Sequence, residues 1–107
     1  MMYADYVKER FGHETIVSTH GFIVYSTKGQ DCFIHELHID KASRRSGHGH
    51  GMGDLVLQIA KERGCDKIWA TVIPSSFTST EAMQTHLAWG MKIHSSSQDC
   101  IVTVREI

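Results

Sequence analysis

Apolar positions along the chain change their period several times, and each change marks an element. Between residues 52 and 60 they recur as Met52, Leu55, Val56, Ile59 and Ala60, the i, i+3, i+4, i+7, i+8 stripe of a helix with one buried face. Lys61, Glu62 and Arg63 close that helix ahead of a stop at Gly64. Upstream, residues 15–19, 21–27 and 32–40 are rich in β-branched and aromatic types, with Lys28-Gly29-Gln30-Asp31 as a turn, which predicts an antiparallel meander. Simple alternation in the third run places Phe33, His35, Leu37 and Ile39 on one face and Ile34, Glu36, His38 and Asp40 on the other. A short first helix over residues 3–11 ends near Gly12, and a strand over 67–73 ends before Pro74. The spacing of strand, helix and strand predicts a right-handed parallel crossover. After the polar connection of residues 75–79, a helix from about Thr80 runs to a stop at Gly90, and residues 91–94 and 101–104 form a closing hairpin. The pattern is that of a mixed α/β (α+β) domain with a mostly antiparallel sheet.

A chain of 107 residues supports one core, so residues 1–107 are taken as a single domain. A net charge of -1 offers no basic field for nucleic acid, which is excluded as the main ligand. Cys32, Cys65 and Cys100 are odd in number and widely spaced, fitting neither a disulfide framework nor a CxxC metal site. No apolar run reaches the length of a membrane span and no signal-like N-terminus appears, so no membrane partner and a cytoplasmic location are expected. Cys32 and Cys100 read as core residues and Cys65 as partly exposed.

The junction Arg44-Arg45-Ser46-Gly47-His48-Gly49-His50-Gly51 carries the candidate chemistry. It joins a strand to a helix with glycine at every second position from Gly47 to Gly53, so its backbone N–H groups can approach a ligand closely. The helix start adds unpaired donors and the positive end of a dipole, and the arginines add mobile charge. Such a turn suits a phosphate.

With its flanking elements, this junction resembles motif A of the GNAT superfamily of N-acetyltransferases, whose signature is Arg/Gln-x-x-Gly-x-Gly/Ala after a strand. Arg44, Gly47 and Gly49 fill the signature, and Ala60-Lys61-Glu62-Arg63-Gly64 is similar to the family's Ala-x-x-x-Gly helix end. Further on, the family's Asn-x-x-Ala, Tyr and Gly-Phe places hold Ser79, Ala82, His86, Gly90 and Met91. The resemblance covers about residues 15–107 and implies a compact member with a reduced N-terminal region.

From the resemblance follow an acetyl-CoA co-substrate, no metal, and an amine acceptor, small molecule or protein. It implies that the loop from Arg44 to Gly51, with Arg45, Ser46, His48 and His50, holds the pyrophosphate, and that Ser79 touches the cofactor. The backbone at Leu37, His38 and Ile39 would pair with the pantetheine arm like an added strand. An amine would attack the thioester directly, with Glu36 as base, His38 as second choice, and His86 as acid at the tyrosine place. Beside these stand plainer readings: Glu36 as a solvated strand residue, and His86 as a helix residue packed beside Leu87. The eight histidines raise a metal as a rival, but alternation sets His35 and His38 on opposite faces and the glycine turn gives His48 and His50 no support. A second reading of the whole chain is a catalytically weak or inactive GNAT-fold protein used for binding or structure, which its compact form makes similar to phage-type members. The closing hairpin could also leave an edge for a homodimer.

Overall fold

The computed structural model describes residues 2–44, 47–73 and 79–107, apart from the side chains of Ser79 and Thr80. Helix α1 (Met2–Phe11) leads into strands β1 (Glu14–Ser18), β2 (Gly21–Lys28) and β3 (Asp31–Ile39). A 3-10 turn (Lys41–Ser43) precedes α2 (His48–Glu62), followed by β4 (Lys67–Val72), α3 (Ser79–Ala88), β5 (Lys92–Ser96) and β6 (Ile101–Glu106). The strands form one six-stranded sheet in the order β1-β2-β3-β4-β6-β5. Only β3 and β4 run parallel, joined by the crossover through α2; the meander and the closing hairpin are antiparallel as predicted. Strand bounds differ from the predicted ones by one or two residues, the usual uncertainty of element ends.

α2 and α3 cover one face of the sheet. Met52, Val56 and Ala60 of α2 are buried against Ile23 and Tyr25 of β2, Cys32 of β3 and Ile68 of β4, which together make the main core. The predicted stripe therefore holds except at Leu55, which is 53% exposed because the buried line runs strictly i, i+4, i+8. Cys65 is buried rather than partly exposed, its thiol directed at the Gly29 carbonyl, and Cys100 is half-buried. On the opposite face, α1 lies over the outer strands: Val7 is buried, and the ring of Tyr3 sits 5.2 Å from that of Phe22.

A β-bulge decides what β3 presents to each face. Register along β2 and β3 shifts between Val24 and Tyr25: Val24 faces Glu36 while Tyr25 faces Ile34, leaving His35 as the extra residue. Strict alternation fails there. Cys32, Ile34, Leu37 and Ile39 look toward α2, whereas Phe33, His35, Glu36 and His38 look toward α1. Thus His35 and His38 share a face, contrary to the alternation predicted from sequence. Contacts agree with this assignment: His35 bonds Ser26, Glu36 bonds Tyr3, and His38 lies against Phe22.

Beyond the bulge the sheet opens. β3 and β4 pair only from Asp31–Lys67 to Ile34–Ala70, while β4 continues to pair with β6 as far as Val72. From His35 onward β3 no longer bonds β4, so two strand edges diverge inside the sheet. Backbone donors and acceptors in a sheet are strongly driven to pair, and such a wedge is a place for a strand-like ligand.

Candidate active site

The strand-to-helix junction is tighter than the sequence suggests. α2 begins at His48, four residues before the predicted apolar stripe, so Gly49, Gly51 and Gly53 are helical and only Gly47 uses glycine's conformational freedom. Gly47, at φ 83° and ψ 2°, occupies the left-handed region as the residue before the helix. Among the described residues no side-chain cap is seen at this end, and the first turn-closing bond runs from the Gly51 N–H to the Gly47 carbonyl at 3.0 Å. The N–H groups of His48, Gly49 and His50 therefore have no partner within the helix and point out along its axis, as an anion requires.

Neighbouring side chains hold the junction in place. The Arg44 guanidinium donates from Nε to the Ile39 carbonyl at 3.0 Å, folding back onto the end of β3. His48 stacks on His20 with ring centroids 3.7 Å apart, and His20 Nδ1 bonds Ser43 Oγ at 3.0 Å. A Cβ on Gly49 would touch Leu37 and Ile39, so the first turn of α2 rests directly on the diverging part of β3. Arg45 and Ser46 lie outside the described residues, as does the side chain of Ser79.

Where β3 leaves β4, a pocket opens between the start of α2, α3 and the sheet, with roughly 390 Å³ of empty space, part of it open to solvent. Its lining is mainly apolar and includes Ile34, Leu37, Gly49, Ala70, His86 and Trp89. His86 Nδ1 lies 3.1 Å from Oγ1 of the fully buried Thr103, whose hydroxyl donates to the Ala70 carbonyl at 3.1 Å. Burial pushes the His86 imidazole below its ordinary value, favouring the neutral ring. Trp89 covers the pocket's flank, its Nε1 donating to Asp54 at 2.8 Å and its face lying 4.6 Å beneath the Arg105 guanidinium.

Glu36 stands on the other face of the sheet. Its carboxylate accepts a 2.7 Å hydrogen bond from the Tyr3 hydroxyl, and this bond, ahead of desolvation, raises the Tyr3 pKa. His38 is exposed beside Phe22. Glu36 and His86 thus approach the β3–β4 wedge from opposite sides, one under α1 and one under α3. Among the described residues no three His, Cys, Asp or Glu side chains gather as metal ligands; the close imidazole pairs, His13 with His35 and His20 with His48, are stacked face to face.

Residues 5–87 match the family model described as the Acetyltransferase (GNAT) family, which is well over half of the chain. This chain is a GNAT acetyltransferase family member. Solved GNAT structures share its fold. Nourseothricin acetyltransferase superimposes with a TM-score of 0.71 at 18% identity, over 81% of this chain and 57% of that one. PaiA N-acetyltransferase from Thermoplasma acidophilum, solved with coenzyme A, gives 0.75 at 12% identity, over 82% and 54%. A Bacillus subtilis acetyltransferase in complex with CoA gives 0.73 at 17%, over 96% and 83%. The GNAT chain described here spans a little over half the length of the first two. Comparison with curated protein sequences gives no match.

Within this GNAT fold the structure brings Leu37, Ile39, Gly47, His48, Gly49, His50 and Gly51 together at one end of the sheet, and puts Glu36, His38 and His86 around the adjoining wedge. Sequence reasoning missed Tyr3 and Thr103, the partners of Glu36 and His86. They lie 33 and 17 residues away in the chain, distances at which no spacing rule operates.

Proposed function

We propose that this GNAT chain transfers the acetyl group of acetyl-CoA to a primary amine by direct attack. The observation that carries the reading is a coincidence of two features: the Gly47-capped start of α2 sits at the mouth of the wedge where β3 and β4 part. The N–H groups of the first α2 turn, together with Arg44, Arg45, Ser46, His48, His50 and Ser79, would hold the pyrophosphate. Backbone groups of Leu37, His38 and Ile39 would take the pantetheine arm as an extra strand, and one of their N–H groups would receive the developing oxyanion. When bound, acetyl-CoA supplies the activated acyl group. Glu36, directly or through a water, would take the proton that turns the arriving ammonium into a nucleophile, and His86 would serve the leaving sulfur.

Thermal unfolding with acetyl-CoA tests the reading. Saturation at a hundred times Kd should stabilise the fold by about 2.7 kcal/mol, and Gly49→Asp, which sets a carboxylate against Leu37 and Ile39 beside the proposed cofactor path, should abolish the shift. No shift at saturating acetyl-CoA would refute cofactor binding. Replacement of the family's Asn and Tyr by Ser79 and His86 favours a competing reading, a binding or structural member without transfer. Stabilisation by acetyl-CoA, with no acetylated product across a panel of amines and peptides, would select it.

A further inference from the structure

We infer that Thr103 is a positioning residue that locks His86 in the Nδ1–H tautomer, so that Nε2 accepts the proton of the attacking amine and then returns it to the departing sulfur. The inference rests on the acetyl-transfer reading for its chemistry, but its structural core stands alone.

The tautomer follows from the number of protons available. Thr103 is fully buried, and its Oγ1 lies 3.1 Å from both the Ala70 carbonyl oxygen and His86 Nδ1. A carbonyl oxygen has no proton to give, so the hydroxyl proton must lie between Oγ1 and Ala70; otherwise two acceptor oxygens would face each other 3.1 Å apart in the core with no proton between them. With its single proton committed, Oγ1 can only accept from His86, and Nδ1 must carry the hydrogen. A neutral imidazole has one N–H, so Nε2 carries the lone pair. Ala70 is fixed in turn by the β4–β6 ladder, where it stands opposite Thr103 itself. The relay is therefore part of the sheet and does not depend on a flexible side chain.

A ring in this state is a base before it is an acid. An amine reaching the wedge as an ammonium has two protons to lose. The first leaves before attack, to Glu36 or water. The nitrogen lone pair then forms the C–N bond, and His86 Nε2 takes the second proton. As the C–S bond breaks and sulfur keeps its electron pair, the same Nε2–H delivers that proton to sulfur, and His86 ends neutral as it began. A tyrosine at this place would start protonated and could enter only at the last step. The replacement by His86 then adds a proton-accepting role to the position.

The tautomer can be read without turnover. Long-range 1H–15N correlation spectra of protein labelled at histidine, with His86→Gln to assign the ring, should show protonated Nδ1 and unprotonated Nε2 at neutral pH. Thr103→Val, nearly the same shape without the hydroxyl, should shift the ring toward Nε2–H, and Thr103→Ser should restore the first pattern. A wild-type ring protonated at Nε2, or ring shifts identical in wild type and Thr103→Val, would overturn the proposal. These spectra are taken without acetyl-CoA, so their outcome is separable from the binding test above. Where an acceptor is acetylated, His86→Gln should lower kcat by about a hundredfold, the smaller end of what general acid–base groups contribute. Thr103→Val should lower kcat with little change in KM, whereas a merely structural Thr103 would change both stability and KM and leave the tautomer alone.

Discussion

Two glycines in the same helix should respond to alanine in opposite directions. Both Gly51 and Gly53 are helical, and replacing a helical glycine by alanine ordinarily gains about 0.8–1 kcal/mol through reduced backbone entropy. At Gly51 a Cβ would meet nothing within 4 Å, so the full gain is expected. At Gly53 it would stand 2.9 Å from Cε2 and 3.0 Å from Cζ2 of Trp89, nearer than carbon atoms approach. The ring cannot easily retreat: Asp54 holds its Nε1, Arg105 covers its face, and the Arg105 guanidinium also donates to the Trp89 carbonyl at 2.8 Å. Overpacking of a fixed side chain costs about 1–3 kcal/mol, which exceeds the propensity gain. Gly51→Ala should therefore raise stability by just under about 1 kcal/mol and Gly53→Ala should lower it by about 1 kcal/mol. At roughly 4–8 °C per kcal/mol for a domain near this size, the melting temperatures of the two variants should differ by about 10 °C. Urea titrations with a shared m-value would measure the gap, and placing Gly53→Ala in a Trp89→Leu background should close it. If Gly53→Ala is as stable as Gly51→Ala, the ring is free to move and the account of this corner of the pocket is wrong.

Two other predictions concern polar groups that the fold takes partly or wholly out of water. Burial lowers the pKa of His86, and burial followed by the charge of His13 lowers that of His35. Their folded-state values lie under the unfolded value of about 6.5, so the unfolded chain binds more protons there. The associated stability is complete above about pH 6.5 and is lost as pH falls through the folded values; urea midpoints between pH 8 and 5 should decline in that direction, and His86→Gln should flatten part of the decline. Thr15 Oγ1 is buried without a hydrogen-bond partner. Thr15→Val keeps the β-branched shape and removes the unsatisfied hydroxyl, so it should raise stability by about 1 kcal/mol in the same titration.

The elements that local chemistry defines could be read from sequence, and those set by distant partners could not. The α2 stripe, the meander, the crossover and the final hairpin all follow from period and turn residues, and the Arg44-x-x-Gly47-x-Gly49 signature located the loop. The true start of α2 was hidden because alternate glycines resemble a loop. It is settled by packing, with Gly49 resting on Leu37 and Ile39 and Gly53 lying beneath Trp89. Leu55 fits the stripe but faces water, since propensity and period do not reveal how wide the covering sheet is. Tyr3 and Thr103 escaped notice because a hydrogen bond between separate elements leaves no trace in spacing. The extra residue in β3 escaped for another reason: nothing in the residues around His35 distinguishes eight alternating positions plus one from nine.

That one residue makes chain length a variable in its own right. Removing His35 would restore plain alternation with every other direction kept: Ile34, Leu37 and Ile39 would still look toward α2, and Phe33, Glu36 and His38 toward α1. Replacing His35 by any other side chain would leave those directions alone. The bulge thus absorbs one residue of length, and neither exchanging nor losing that residue changes which face the rest of β3 presents. When relatives of this chain are compared, a one-residue gap at this point therefore leaves Glu36 and His38 on the same face, whereas a strand that kept all nine residues without the bulge would turn them toward α2.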